Sequence, residues 1–268
     1  MADPGALRRR RNRFRFRRKQ RAAGATMTVM EHLGELRTRL IFSGAAFLAI
    51  SVVVFFFYAP ILDLFRRPLC SVPRELLGPL GCDLQYPRVI GGFQFRLKLT
   101  ALVGIALSSP VWLYQIWAFI VPAMTNREKR YSGPFLITSS VLFLAGAAVA
   151  YLVLPAGIRF LVQIGGPDLV PLLGAEEYLN FVGLMLLGFG LLFELPLVLF
   201  FLGLAEIVSI DQLRRGRRVA IVAIVALAAI VTPSQDPYTM IVLSVPLYGF
   251  YELTIVLLKI VMRRRGAA

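Results

Sequence analysis

Glu194 is the residue whose chemistry is hardest to read as ordinary surface. It stands in Leu191-Leu192-Phe193-Glu194-Leu195-Pro196, with apolar residues well beyond it on both sides. An acid at mid-membrane costs ~2.5–3.5 kcal/mol on insertion scales, so it must face a cavity or a partner. Two further carboxylates, Glu35 and Glu128, border apolar stretches within His32-Leu33-Gly34-Glu35-Leu36-Arg37-Thr38-Arg39 and Arg127-Glu128-Lys129-Arg130. Two carboxylates at one membrane face can each take a guanidinium in bidentate fashion, a geometry suited to Arg and less to Lys. Each residue also has a plainer reading. Glu35 fits a solvated stripe with His32 and Arg39 on an interfacial helix, Glu128 fits a loop charge balanced by its neighbours, and Glu194 fits a structural hydrogen bond between helices. Spacing alone does not choose.

The rest of the inventory narrows the chemistry. The chain has 268 residues, 57% of them hydrophobic and 17% charged, and a mean hydropathy of +0.71. Soluble domains carry ~25% charged residues, so this chain lacks the polar surface to cover a soluble core. One His and two Cys argue against zinc, haem or iron–sulfur ligation and against Ser-His catalysis. No metal, no cofactor and no conventional enzyme activity are expected. Cys70 and Cys82 fall in one loop, where an oxidising compartment permits a bridge. Bridged and free thiols both fit the sequence.

The elements that position these residues are membrane spans, each needing ~20 apolar residues at ~1.5 Å per residue. Uncharged or nearly uncharged runs cover 40–62, 99–126, 131–158, 178–205, 219–235 and 237–262. They predict an all-α polytopic membrane protein of six transmembrane helices. Ten Lys and Arg lie in residues 1–21, and further clusters occur at Arg127 to Arg130, Arg214 to Arg218 and Arg263 to Arg265. With six spans these all fall on one side, which the positive-inside rule makes the cytoplasm, together with both termini. The predicted organisation is a disordered basic tail over 1–27, a six-helix membrane domain over 28–262 and a short basic tail over 263–268. For the first tail, anionic lipid is the expected partner, ahead of nucleic acid.

Thr28-Val29-Met30-Glu31 fits a capping box that starts a helix near Val29. Prolines at 110, 122, 134, 155, 196, 233, 237 and 246 predict kinked helices enclosing a concavity. Only thirteen residues separate Arg218 from Thr232, and the next apolar run meets Glu252 early. Short fifth and sixth helices are therefore expected, with a locally thinned bilayer.

His32 to Leu40, Ser109-Pro110-Val111-Trp112 through Phe119-Ile120-Val121-Pro122-Ala123, Arg127 to Arg130, Phe193 to Pro196, Thr232-Pro233 with Asp236, and Pro246-Leu247-Tyr248 with Glu252 occur in the order found in the TatC family. The sequence resembles that family, the receptor subunit of the twin-arginine protein translocase. The resemblance implies binding of twin-arginine signal peptides and export of folded proteins driven by the proton-motive force. It places Glu35 and Glu128 in the signal-peptide site, with Arg37 and Phe119 shaping it, and gives Glu194 to the docking of single-span TatA/TatB-type subunits. It also implies homo- and hetero-oligomers in a bacterial-type plasma membrane. A proton-coupled secondary transporter using Glu194 is the alternative that topology alone favours, although the inverted repeat of such proteins is missing.

Overall fold

The computed structural model describes residues 29–120, 132–166, 171–232 and 236–266. Among these the chain is helical, and its strand-like pairing is one isolated parallel bridge between Gln85 and Gly174. The chain divides into two units at Arg37. Of the first unit, the described residues are the opening of α1 (Val29–Phe56), which starts where the capping box predicts; Thr28 itself lies outside the described residues. The second unit, from Thr38 onward, holds the remaining helices.

α1 ends at Phe56, short of the expected limit at residue 62, and α2 (Tyr58–Cys70) follows after a turn at Phe57. Pro60, in the first turn of α2, brings no N–H to the Phe56 carbonyl, and Arg96, which a count of apolar residues near Phe57 does not register, packs against the same turn. Its guanidinium donates to the Phe55 carbonyl at 3.0 Å and lies 4.1 Å over the Phe55 ring and 4.8 Å over the Tyr58 ring. A cation held over two aromatic faces braces the turn. Each such contact contributes about 0.5–2 kcal/mol according to its desolvation. Arg96→Ala is expected to lower the thermal midpoint of the purified protein by several degrees, with Arg96→Lys intermediate; an unchanged melt would show that the turn holds without the cation.

α2 buries Phe65, Pro68 and Leu69 and leads to α3 (Arg74–Leu77). Cys70 and Cys82 are bridged, with Cα atoms 5.0 Å apart across a sequence separation of 12, which resolves what the sequence left open. Closing a loop of this length removes unfolded-chain entropy equivalent to roughly 3 kcal/mol. Replacing both by Ser should lower unfolding stability by about that amount, as read in a denaturant melt.

α4 (Gly91–Leu107) and α5 (Ser109–Ile120) form a pair bent by 53°. Pro110 in the first turn of α5 brings no N–H, and the Ser108 carbonyl receives the N–H groups of Val111 and Trp112 instead. The expected run at 99–126 thus begins earlier, at Gly91, because the charges that set its limit are absorbed: Arg96 by rings, Lys98 by Glu176.

α6 (Ser132–Ile164) and α7 (Ala175–Leu192) form the most extensive helix–helix contact. A Cβ on Gly146 would lie 2.6 Å from the Phe189 carbonyl oxygen, and one on Gly190 would lie 2.8 Å from the Phe143 ring. Small residues let helix backbones approach where lipid offers no hydrophobic drive. The main core gathers here, with Leu154, Val182, Met185 and Phe189 wholly buried and Phe65, Leu69 and Leu99 joining from α2 and α4.

α8 (Leu195–Leu204), α9 (Ile210–Arg215), α10 (Arg217–Val231) and α11 (Pro237–Gly266) complete the order. Ser209 and Gln212 form a capping box at α9. Buried Asp236 accepts the Thr239 N–H at 2.7 Å and its hydroxyl, which caps the start of α11.

Among the described residues four helices are long and apolar enough to cross a membrane: His32–Phe56, Phe135–Ile164, Ala175–Leu204 and Pro237–Arg263. The bent α4–α5 pair makes a fifth if it is one span. α10 has 15 residues, about 22 Å of helix, and is short as expected. The sixth expected helix is not short: α11 runs for 30 residues. Glu252, taken from sequence as its limit, accepts Arg217 at 2.8 Å and the Tyr248 hydroxyl at 3.0 Å, and a neutralised charge does not end a helix.

Candidate functional site

Three helices meet at Glu194. The residue lies in the break between α7 and α8, where Pro196, in the first turn of α8, supplies no N–H to continue the ladder. The Glu194 N–H folds back to the Leu191 carbonyl at 3.1 Å, and its own carbonyl accepts Val198 at 3.0 Å. The side chain is 7% exposed. Ser139 of α6 donates to Glu194 Oε2 at 2.7 Å, and Trp117 of α5 donates through its indole N–H to the Ser139 oxygen at 3.0 Å. The result is a directed chain, indole to hydroxyl to carboxyl, across three elements.

Aromatic packing holds the chain in place. Phe135 and Phe201 lie against the Trp117 ring, with centroids 5.5 and 5.4 Å away, and Leu197 and Leu204 close the cluster. The second carboxyl oxygen, Oε1, is buried and has no hydrogen-bond partner among the described residues. An unsatisfied buried acceptor carries a desolvation cost of about 1–3 kcal/mol. Ser139 thus fixes the carboxyl through one oxygen, Oε2.

Glu35 and Arg37 occupy the opening of α1 in the first unit. Phe119 is half-buried near the end of α5. Glu128 lies outside the described residues. Within the second unit Arg39 of α1 donates to Gln115 Oε1 of α5 at 3.2 Å, one turn before Phe119. Sequence reasoning missed Ser139 and Trp117 as partners of Glu194. A serine in Thr138-Ser139-Ser140 gives no local sign of which of three hydroxyls turns inward.

Residues 31–246 match the family model described as Sec-independent protein translocase protein (TatC). The chain belongs to the TatC family. It is 41% identical over 247 residues to the Sec-independent protein translocase protein TatC of Frankia casuarinae, covering 90% of this chain and 68% of the relative. It is 37% identical over 243 residues to the TatC protein of Aquifex aeolicus, covering 89% and 98% respectively. A crystal structure described as the twin-arginine translocase receptor TatC in DDM superposes with a TM-score of 0.70 at 35% identity, over 84% of this chain and 98% of that one. The TatC relatives are thus named for protein transport, and the fold is theirs: an all-helical, multi-pass membrane protein. Glu35, Arg37, Phe119, Glu128 and Glu194 all fall inside the TatC match.

Proposed function

We propose that this chain is the receptor subunit of a twin-arginine translocase, binding the paired arginines of export signal peptides and taking part in proton-motive-force-dependent export of folded proteins. The observation that carries this reading is the TatC match across residues 31–246, which takes in every residue of the expected site. Glu35 and Glu128 each receive one guanidinium, and Arg37 and Phe119 shape the pocket around them. α10 supplies the sixth crossing, with both termini in the cytoplasm of a bacterial-type plasma membrane. The prolines at the helix breaks curve the helices around a concave face. Single-span TatA/TatB-type subunits dock there, and one of them offers a donor to the open oxygen of Glu194. The assembly holds several copies, and the basic tails, 1–27 and 263–268, rest on anionic lipid. The solved relative described as a receptor supports binding ahead of solute carriage by Glu194.

The test is a binding titration with a labelled signal peptide carrying Arg–Arg against one carrying Lys–Lys. Two bidentate forks become two point charges in the second peptide. At least tenfold weaker binding is expected; equal affinity would overturn the receptor reading.

A further inference from the structure

An apolar groove of about 350 Å³ runs between α8, α9, α10 and α11. Its floor is the stripe Gly216, Ala220 and Ala223, which repeats at three- and four-residue spacing and leaves room beside α10 for a chain-wide channel. Leu199 of α8 and Leu247 of α11 form the walls. One end is closed where the Tyr251 hydroxyl donates to the Leu213 carbonyl at 2.6 Å.

Basic residues adjoin that same end along the chain. Four arginines, at 214, 215, 217 and 218, flank Gly216. Arg217 is engaged by Glu252 at 2.8 Å. Arg214, Arg215 and Arg218 are exposed, and their side chains have no hydrogen-bond or ion-pair partner among the described residues. Asp211, at the start of α9, is the acid closest to them in sequence. The far end of the groove, at Leu227, has only apolar residues around it in α10. A ligand for this site is charged at one end and hydrocarbon at the other.

We propose that the groove holds an acyl chain of an anionic phospholipid, with the headgroup phosphate gripped by Arg214, Arg215 and Arg218. Guanidinium forks match phosphate oxygens in geometry and charge. A single-span helix is ~10–12 Å across with its side chains, much wider than one hydrocarbon chain. It also brings no anion to a fixed point beside Gly216, so a single-span protein segment fits less well. The inference rests on the proposed placement of α10 and α11 in the bilayer, with residues 214–218 at its surface, and is separate from the signal-peptide site.

The test is native mass spectrometry of the full chain, purified in detergent with dioleoyl phosphatidylglycerol or dioleoyl phosphatidylcholine. Retention of one phosphatidylglycerol is expected, at least tenfold above phosphatidylcholine. The triple variant Arg214→Gln, Arg215→Gln, Arg218→Gln should lose that preference at least tenfold, and the corresponding Lys variant should keep part of it. Ala223→Leu, which fills the floor without touching the arginines, should release both lipids. Glycerol 3-phosphate should not displace the lipid; if it competes well, the arginines form a free-phosphate site and the lipid proposal fails. Phosphatidylglycerol retention equal to the native chain's in the Gln and Ala223→Leu variants also overturns it, as does an Ala223→Cys crosslink to a single-span subunit with no lipid retained. A thermal melt of each variant verifies folding, and signal-peptide titration is run beside it. A wild-type chain that keeps lipid but binds no peptide would sink the proposed function alone.

Discussion

Glu35→Ala and Glu128→Ala are each expected to weaken binding of a twin-arginine signal peptide by one to two orders of magnitude, and together to abolish it. A hydrogen-bonded pair between charged groups contributes about 1.5–3 kcal/mol, and each factor of ten corresponds to about 1.4 kcal/mol. Each carboxylate is proposed to take one guanidinium. Glu35→Gln and Glu128→Gln should therefore fall between native and Ala, since an amide oxygen accepts one N–H but offers no charge and no second acceptor. The measurement is a fluorescence titration with labelled peptide at low and high salt. If both double variants, Ala and Gln, bind like the native chain, these acids do not form the site.

Glu194→Leu should leave signal-peptide affinity within about twofold and stop export almost completely. The carboxyl is buried, accepts from Ser139 at 2.7 Å and leaves its second oxygen open. Leucine removes both features and leaves the Ser139 O–H without its acceptor, while the Ser139 oxygen still accepts the Trp117 N–H at 3.0 Å. Breaking a buried network by removing one partner costs about 1–3 kcal/mol, so a modest loss of thermal stability should accompany the functional one. Glu194→Gln keeps an acceptor for Ser139 and should restore the melt but only part of the export. Ser139→Ala isolates the positioning role: it frees the carboxyl to rotate and should shift Trp117 fluorescence while leaving partial export. Full export by Glu194→Leu in a vesicle transport assay would remove Glu194 from the mechanism.

The residues differ in how legible they were. Glu194 was found from sequence because a charge inside an apolar run is conspicuous in one dimension. α10 was expected to be short because Arg218 and Thr232 bound it in plain view. The limits of α1 and α11 were misplaced for one shared reason. Counting charges treats each as a barrier, yet Arg96 packs on the turn at Phe57 from about forty residues away, and Glu252 is neutralised by Arg217, thirty-five residues away. The bridge between Cys70 and Cys82 was undecided because spacing permits a disulfide without requiring one.

Sequence by itself determined that this is a membrane-embedded helical chain, which segments are apolar, and which acids interrupt them, since transfer into lipid sums residue by residue and needs no knowledge of neighbours. Its ordered motifs also carried the family. Only the tertiary structure decided which hydroxyl meets Glu194, which indole stands behind it, and where an apolar groove lies between α8, α9, α10 and α11. Those contacts join residues such as Ser139 and Glu194, fifty-five positions apart, and their energies depend on distance and direction, which no local pattern of hydrophobicity encodes.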